Sequence, residues 1–351
     1  MTIAVWSPSL FKEDFSSSRQ FIVETLLYLT LQHQDEKFFI LTDTTPQHSF
    51  PKNTGILFVK PVPQNALSKK IWWDMRMPAI LKKMKADLFI SFESRCSLTA
   101  STPQSILIQP GETVKPAFIK KAQLVFVLNE SLRTQLKKNH NVEDKKITTI
   151  NPFPSKQFKT VDDIEKEHIK AEHSDGKEFF LYNSHFSTKE DFIELLKSFS
   201  HFKKRQQSSF KLLLLTEANS FFEKSLSSYK YRTDVKFIGK KNDPAMITGS
   251  AYAVVLPFNT NEDIIAALNS MQSGVPVIAT KNSVISEMAG DAVLYAEKSV
   301  NDISDKMMLL YKDENYRSSL IEKGKSLAAT FTQEKTAERL WQSIMKGLQR
   351  F

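Results

Sequence analysis

Residues 251–280 of the chain read AYAVVLPFNTNEDIIAALNSMQSGVPVIAT. This stretch opens with an apolar run of the kind that a buried strand needs, and a proline-led loop follows that run. A helical pattern then begins near Glu262, and Gly274 is the residue type that commonly ends a helix. Residues 275–279 form a second buried, apolar run. The stretch therefore predicts a strand, a loop, a helix and a further strand of a parallel α/β sheet.

The predicted helix start is suited to an anion. N–H groups in the first turn of a helix have no partner within the helix, and the helix dipole adds partial positive charge there. Glu262, Asp263 and Ile264 occupy this turn. Because open α/β sheets bind ligands at the carboxyl ends of their strands, we predict that this turn contacts a phosphate group. Alternatively, Glu262 and Asp263 are ordinary first-turn acids that complement the dipole.

Short apolar runs alternate with helical patterns along almost the whole chain. Runs that predict strands lie at residues 3–6, 37–42, 55–60, 87–92, 105–109, 124–128, 146–150, 178–182, 210–215, 235–238, 251–256, 275–279 and 292–295. A charged stretch with few hydrophobic residues, 162–177, interrupts the series and has the composition of an interdomain linker, for which we consider one exposed helix. We therefore predict an α/β protein with two doubly wound domains, residues 1–155 and 178–332, joined by a linker at 156–177.

Chain length and net charge exclude few classes of function. A chain of 351 residues suits two domains of roughly 150 to 200 residues each. Its net charge of +9 comes mostly from lysines scattered among acids. Such a balance permits binding of phosphorylated ligands, nucleic acid or anionic lipid and selects none of them. The alternative is a solvated, lysine-rich surface without a recognition role.

The cysteine count and the N-terminal sequence bear on location. A single cysteine, Cys96, excludes an internal disulfide framework and indicates a reducing compartment. No stretch reaches the ~18 consecutive apolar residues that a membrane span needs. The opening sequence MTIAVWSP has no basic region before its apolar run, unlike a signal peptide. We therefore expect a cytoplasmic location.

Several motifs of common enzyme classes are missing from the sequence. With nine glycines, the chain contains no G-x-G-x-x-G and no Walker loop, which argues against dehydrogenases and P-loop enzymes. It has no G-x-S-x-G elbow, which argues against an α/β-hydrolase. Its seven histidines show no paired spacing on one helical face, and one cysteine cannot form a zinc cluster. We therefore expect neither a metal nor a bound cofactor.

The motifs that are present resemble those of family 4 glycosyltransferases, which are retaining GT-B enzymes that use nucleotide-sugar donors. Residues 274–279 read GVPVIA in register with Pro257 and Met271, and residues 286–292 read SEMAGDA, similar to a family element with Gly-Asp-Ala. The resemblance implies the GT-B fold, in which two Rossmann-like doubly wound domains face each other across a cleft. It also implies that the closing helix, at residues 333–351, crosses back to the N-terminal, acceptor-side domain.

The resemblance assigns donor-binding roles to positions in the second domain. The family's two glutamates, which contact the donor sugar and the nucleotide ribose, fall on Asn261 and Asn269. Asparagine still hydrogen-bonds hydroxyls, but a neutral bond contributes about 0.5–1.5 kcal/mol against about 1.5–3 kcal/mol for a charged one. Glu262 substitutes for the first glutamate only if the loop shifts by one residue.

The family's phosphate-binding segment corresponds here to residues 183–189. Its glycine is replaced by Asn183, Ser184 follows, and its arginine is replaced by Thr188. Lys189 keeps one candidate cation for the diphosphate. The alternative is that Lys189 lies at a solvated helix start and binds nothing.

Two further positions fall in the first domain. The family's Gly-Gly loop, which approaches the donor phosphate, corresponds to Ser16 and Ser17, whose side chains crowd that approach. The family's histidine, which faces the transferred sugar, corresponds to Gln109. Glutamine hydrogen-bonds a sugar but cannot titrate near neutral pH.

The resemblance predicts a retaining glycosyltransferase that moves a hexose from a nucleotide sugar to a glycan or lipid-linked acceptor, with no nucleic-acid partner. The motif departures leave open a catalytically inactive GT-B protein that acts as a binding or scaffold subunit in polysaccharide biosynthesis. A GT-B epimerase-like or phosphorylase-like enzyme is a more distant alternative.

A basic, aromatic helix around Trp72 and Trp73 bears on membrane contact. It also carries Lys69, Lys70 and Arg76. Helices of this kind lie on anionic lipid surfaces, so we consider peripheral contact with the inner surface of the membrane. The alternative interpretation is that the tryptophans pack on the sheet while the basic residues are solvated.

Overall fold

A computed structural model describes residues 1–8, 10–12, 17–46, 49–60, 65–108, 114–184, 186–207, 209–216, 218–239, 242–258, 263–281 and 283–348. The chain divides into two compact units. Unit 1 comprises Met1–Lys12, Arg19–Pro152 and Gln333–Phe351, and unit 2 comprises Glu13–Ser18 and Phe153–Thr332.

Unit 1 contains a parallel sheet of seven strands in the order β3-β2-β1-β4-β5-β6-β7. Its strands are β1 Thr2–Trp6, β2 Lys37–Thr42, β3 Thr54–Phe58, β4 Leu88–Ser91, β5 Gln104–Ile108, β6 Leu124–Val127 and β7 Ile147–Thr149. Its helices are α1 Ser17–Gln32, which belongs to unit 1 from Arg19 onward, α2 Ala66–Ile71, α3 Met77–Lys83, α4 Pro116–Lys121, α5 Glu130–His140 and α14 Gln333–Leu348, with a π-helix at Trp72–Arg76 between α2 and α3. The strand order reverses direction between β1 and β4, which makes this the topological switch point of unit 1.

Unit 2 contains a parallel sheet of six strands in the order β10-β9-β8-β11-β12-β13. Its strands are β8 Phe179–Tyr182, β9 Lys211–Leu214, β10 Val235–Phe237, β11 Ala253–Leu256, β12 Val277–Thr280 and β13 Leu294–Ala296. Its helices are α6 Asp163–Ser174, α7 Lys189–Gln206, α8 Ser220–Ser227, α9 Pro244–Gly249, α10 Asp263–Gln272, α11 Val284–Ala289, α12 Val300–Lys312 and α13 Glu314–Ala328. Here the order reverses between β8 and β11.

The strands of both sheets are apolar because helices cover both faces of a doubly wound sheet. In β11, Val254 pairs with Leu181 of β8 on one side and with Val277 of β12 on the other. All three side chains are fully buried. After α10, Gly274 adopts φ +74°, a left-handed conformation that residues with side chains rarely take. This turn returns the chain to β12.

The predicted α/β fold with two doubly wound sheets is confirmed, and each predicted strand is present within a few residues of its expected position. The stretch at 162–177 contains α6, whose residues Ile169, Lys170, His173 and Ser174 are buried. This helix is part of unit 2, which begins at Phe153. The closing helix α14 lies in unit 1, where Trp341 stacks on His33 with ring centroids 3.6 Å apart.

The basic, aromatic helix buries one side and exposes the other. Trp72 and Trp73 are each 4% exposed, and the ring centroid of Trp72 lies 4.5 Å from that of Trp6. The tryptophans therefore pack on the sheet, as the alternative interpretation expects. Three other residues of this segment are 50–70% exposed and make up its apolar face, namely Leu67, Ile71 and Met75. No helix among the described residues is long and apolar enough to cross a membrane.

Candidate functional site

The switch point of unit 2 joins two segments that are distant in sequence. Ser184 follows β8, and Asp263 is the first residue of α10. The Ser184 hydroxyl donates a hydrogen bond of 2.7 Å to Oδ1 of Asp263. Both residues are buried, at 6% and 1% exposure. The predicted phosphate-binding segment and the predicted helix start therefore meet at the carboxyl edge of the sheet.

Asp263 has a role beyond that of a solvated first-turn acid. Its carboxylate is buried and fixes the loop after β8 to the start of α10 through Ser184. A hydrogen bond to a charged group contributes about 1.5–3 kcal/mol. Ile264 is 2% exposed, so its side chain belongs to the core and only its backbone is available to a ligand.

Aromatic rings support the loops on either side of this contact. Tyr182 at the end of β8 stacks on Phe186, with ring centroids 4.3 Å apart and planes 13° apart. Phe258, which follows β11, lies 6.2 Å from Tyr182 and 6.3 Å from Phe186, again between centroids. The rings form a packed base at the carboxyl ends of β8 and β11.

The structure connects Asn269 to the beginning of unit 2. Its Oδ1 accepts a hydrogen bond of 2.9 Å from the backbone N–H of Ser155. One turn later, Gln272 Nε2 donates to the carbonyl oxygens of Ser155 and Phe158, at 2.8 and 2.5 Å. The Nδ2 group of Asn269 is buried and has no hydrogen-bond partner among the described residues. The ribose role of Asn269 stays a prediction, and its Nδ2 group is the polar atom that has no partner among the described residues.

The structure places Lys189 on the side of α7 that faces α8. Lys189 is exposed, and its ammonium lies 4.8 Å from the ring centroid of Phe221. Within the described residues it makes no hydrogen bond to Ser184 or Asp263. Thr188 caps α7 in a capping box with Asp191, which agrees with the interpretation of Lys189 as a solvated residue at a helix start. The role of Lys189 as a diphosphate cation stays a prediction.

Asn183 lies at the end of β8, next to Ser184. Its Oδ1 is buried and has no hydrogen-bond partner among the described residues. Buried polar atoms without partners are uncommon and carry a free-energy penalty. A ligand that donates a hydrogen bond at this edge would remove that penalty.

Not all predicted site residues fall in the part of the chain that the structure describes. Ser16, Gln109, Asn261 and Glu262 lie outside the described residues. Ser17 is the first residue of α1, so the second position of the family's Gly-Gly loop is helical here.

Sequence reasoning missed one cation near the switch point. Lys298 lies between β13 and α12, and its ammonium is 3.4 Å from Oδ1 of Asp191 and 5.8 Å from the ring centroid of Phe258. Its side chain is 57% exposed. Lys298 and Asp191 are 107 residues apart, and no local pattern around Lys298 marks it.

The switch point of unit 1 has a different chemistry. The indole N–H of Trp6 donates a hydrogen bond of 2.9 Å to Oε2 of Glu93, just after β4. The guanidinium carbon of Arg95 lies 5.7 Å from the ring centroid of Trp73 and 5.3 Å from that of Phe118. Burial lowers the pKa of Arg95, although its charge persists at any physiological pH. Aromatic rings therefore enclose this edge.

Three further features of the described residues bear on alternative sites. Burial raises the pKa of Cys96 to about 12, so its thiolate is not available near neutral pH. No group of three His, Cys, Asp or Glu residues in the described ranges has the geometry of a metal site. A cavity of about 830 Å³ in unit 1 is lined by Gln104, Gln123 and Lys146 among others. These residues lie at the amino ends of β5, β6 and β7, opposite the edge where parallel sheets bind ligands.

Comparisons with known proteins bear on the family of one segment and on the fold. Residues 163–327 match the sequence profile of the family Glycosyl transferases group 1. Comparison with curated proteins gives no match. The resemblance expected from the motifs is thus confirmed for a segment that includes β8, β11, α10 and Lys298.

Solved structures extend the likeness to the whole chain. Anabaena HepE in complex with UDP-glucose has 10% sequence identity and a TM-score of 0.77, with 99% of this chain and 100% of that chain covered. WaaG, a glycosyltransferase involved in lipopolysaccharide biosynthesis, has 12% identity and a TM-score of 0.74, covering 96% and 99%. S. aureus MnaA with UDP has 13% identity and a TM-score of 0.67, covering 100% and 97%. The chain therefore has the GT-B fold.

Proposed function

We propose that this GT-B protein is a retaining glycosyltransferase that moves a hexose from a nucleotide sugar to a glycan or lipid-linked acceptor. The observation that carries the proposal is the buried contact between Ser184 and Asp263 at the switch point of unit 2. This contact lies within the segment that matches group 1 glycosyltransferases. It fixes a helix start at the sheet edge where ligands of this topology bind.

The donor's parts have separate partners in the proposal. The first turn of α10 binds the diphosphate through backbone N–H groups, and Ser184 and Asp263 hold that helix start in place. The Nδ2 group of Asn269 donates to a ribose hydroxyl. Asn261, Glu262 and Gln109 contact the sugar, following the family pattern. The proposal includes no metal, because helix N–H groups and Lys189 offset the charge of the leaving diphosphate.

The reaction exchanges one bond for another at the anomeric carbon. The bond between that carbon and the diphosphate oxygen breaks, and the acceptor hydroxyl oxygen bonds to the same face of the sugar. The hydroxyl proton passes to the leaving diphosphate, so charge and atoms balance. Stabilising the negative charge on the leaving oxygen is the main contribution expected of α10.

The apolar face of unit 1 suits a lipid-linked acceptor. Leu67, Ile71 and Met75 lie one helical turn apart and are 70%, 50% and 69% exposed. The basic residues Lys69, Lys70 and Arg76 flank them and are also exposed. Exposed apolar residues with basic neighbours bind anionic lipid surfaces. We infer that unit 1 docks peripherally on an anionic membrane through this face.

Vesicle sedimentation tests the membrane contact. Wild-type protein should sediment with vesicles that contain phosphatidylglycerol and less with vesicles of phosphatidylcholine alone. The double variant L67Q/M75Q should lose binding to both, since the inserted apolar area is removed. I164Q is the matched control, because Ile164 is 85% exposed in unit 2, outside the apolar face. Equal sedimentation of wild type and L67Q/M75Q would contradict the contact.

A catalytically inactive binding or scaffold subunit is the second candidate. It is favoured by the bond from Ser155 to Asn269, which occupies one polar atom at the family's ribose position. An inactive protein is also favoured by the neutral residues Asn261, Asn269 and Gln109, because the family has charged or titratable groups at these positions. This candidate predicts nucleotide-sugar binding without turnover.

A thermal-shift panel of UDP-, GDP-, ADP- and dTDP-sugars tests the proposal. A ligand at 100 times its dissociation constant stabilises the protein by about 2.7 kcal/mol, which raises the Tm of a domain of this size by several degrees. A shift together with transfer or hydrolysis of the donor supports the enzyme. A shift without turnover supports the inactive subunit. The absence of any shift would refute donor binding in either form.

A further inference from the structure

Two lysines, Lys189 and Lys298, lie at the first turn of α7, and their ammonium groups contact different rings. Lys189 points to Phe221 of α8, the helix that follows β9. Lys298 points to Phe258, which follows β11. Because the switch point lies between β8 and β11, Lys298 is the lysine on the side of the candidate donor site.

Lys298 also lies close to Thr188, the position at which the family pattern has a second cation. Asp191, whose Oδ1 is 3.4 Å from the Lys298 ammonium, accepts a hydrogen bond of 3.1 Å from the backbone N–H of Thr188 through its Oδ2. Thr188 is the residue that stands where the family pattern has an arginine. An ammonium supplied from the loop between β13 and α12 is thus held next to this threonine.

The ammonium has capacity for a further partner. A lysine carries three N–H donors, and the described contacts of Lys298 use one of them, in a long bond to Asp191. Asp191 is buried, at 4% exposure, whereas the side chain of Lys298 is 57% exposed. The contact with Phe258 places the ammonium towards the carboxyl end of β11.

From these contacts we infer that Lys298 binds the diphosphate of the donor and replaces the cation missing at Thr188. The inference rests on the proposed function, because it assigns a further residue to the same donor site. A cation from a separate loop compensates for the loss of charge in the segment at residues 183–189. Lys298 thereby favours nucleoside diphosphates over uncharged nucleosides.

Calorimetric titration of the full chain tests this assignment. The probes are UDP, GDP, ADP and dTDP, of which the tightest is carried forward with its matching nucleoside. Lys298→Ala should weaken nucleoside diphosphate binding about tenfold, as expected for one charged hydrogen bond. It should leave nucleoside binding unchanged. Lys298→Arg should restore most of the loss, since it keeps the charge.

Lys323→Ala is the matched control. Lys323 is partly exposed and pairs with Asp291 at 2.7 Å, so the variant removes the same charge and one ion pair within unit 2. It should bind the nucleoside diphosphate like wild type. Lys189→Ala, measured in parallel, shows whether the lysine on the α8 side contributes as well.

The outcomes separate the inference from the function it rests on. Unchanged diphosphate affinity in Lys298→Ala would overturn the inference and leave donor binding intact. Equal weakening of diphosphate and nucleoside would also overturn it, because the loss would then arise from disturbed packing around Asp191. If wild-type protein binds none of the diphosphates, the proposed function fails and the inference fails with it.

Discussion

The carboxyl edges of the two sheets share a topology and differ in chemistry. In unit 1 the switch point is enclosed by Trp6, Trp72 and Trp73, and Glu93 serves as the hydrogen-bond partner of an indole. In unit 2 the corresponding edge carries the buried pair of Ser184 and Asp263 at a helix start. The same strand arrangement thus places aromatic rings at the edge in unit 1 and a polar pair at the start of a helix in unit 2.

This difference indicates which edge suits a charged nucleotide. An aromatic edge gives stability and flat apolar surfaces, whereas a helix start with fixed polar groups gives anion binding. All four tryptophans, Trp6, Trp72, Trp73 and Trp341, belong to unit 1, so tryptophan fluorescence follows that unit alone. The comparison can therefore be tested unit by unit.

The largest expected effect concerns the aromatic edge. Trp73 is 4% exposed and contacts the rings of Trp6 and Phe89. Trp73→Ala should lower the free energy of unfolding by about 3–5 kcal/mol, because a large buried side chain is lost. Urea denaturation followed by fluorescence of the remaining tryptophans measures this. Leu98→Ala, at an exposed residue, should change little. A loss below about 1 kcal/mol in Trp73→Ala would mean that the edge is not packed as described.

The next effect concerns the polar edge. Ser184→Ala, Asp263→Ala and the double variant form a cycle that isolates the coupling between the two residues. Since the bond is buried and involves a carboxylate, the coupling should be about 1.5–3 kcal/mol. Urea denaturation followed by circular dichroism measures it, because unit 2 has no tryptophan. Additive effects of the two single variants would show that the contact does not hold the helix start.

A smaller effect distinguishes the side-chain amides of Asn269 and Gln272, which both lie on α10. Asn269→Ala and Gln272→Ala both release Ser155, but only the first removes the unpartnered Nδ2 group. A lost neutral hydrogen bond of about 0.5–1.5 kcal/mol should weaken donor binding by two- to about tenfold in Asn269→Ala. Gln272→Ala should bind like wild type in the same calorimetric titration. Equal weakening in both variants would assign Asn269 to the support of residues 153–158 alone.

The smallest expected effect is on the pH dependence of stability, which we test with one histidine from each unit. Burial lowers the pKa of His33 in unit 1 and of His173 in unit 2. A histidine with a lowered pKa in the folded state takes up a proton more readily when unfolded. Its stabilising contribution is therefore complete above the unfolded pKa of about 6.5 and declines as the pH falls from there towards the folded value.

Denaturant midpoints between pH 8 and pH 5 test this, with His33→Gln and His173→Gln as comparisons. The slope of fluorescence-monitored stability should fall in His33→Gln, because His33 stacks on Trp341 in unit 1. The slope monitored by circular dichroism should fall in His173→Gln. Stability that rises on acidification would contradict the direction given for both groups.

The fold follows from sequence because its signals are local. Hydrophobic periodicity predicts β2 at residues 37–42 without error in its bounds. The start of unit 2 is harder to predict, because α6 is charged on most positions and buries only one side, with Ile169 among its buried residues. Composition alone favours a linker in such a segment.

The site follows from sequence only in part. Motif resemblance identified the segments that contain Ser184 and Asp263, but not the bond that joins them across 79 residues. It also missed the bond between Ser155 and Asn269, since no periodicity reports how a connecting segment packs on a helix. Lys298 lies on a loop without a motif, and its relation to Asp191 emerges only from the folded chain.

Hydrogen–deuterium exchange of the full chain tests the central claim most directly. The claim is that unit 2 binds a nucleotide sugar at its polar edge, and the ligand is the nucleotide sugar that gives the largest thermal shift. Binding should slow exchange in peptides covering residues 183–189 and 263–272. Exchange should not change in peptides covering residues 140–146, which line the cavity of about 830 Å³ in unit 1. Protection confined to that cavity, with none at the start of α10, would contradict the account.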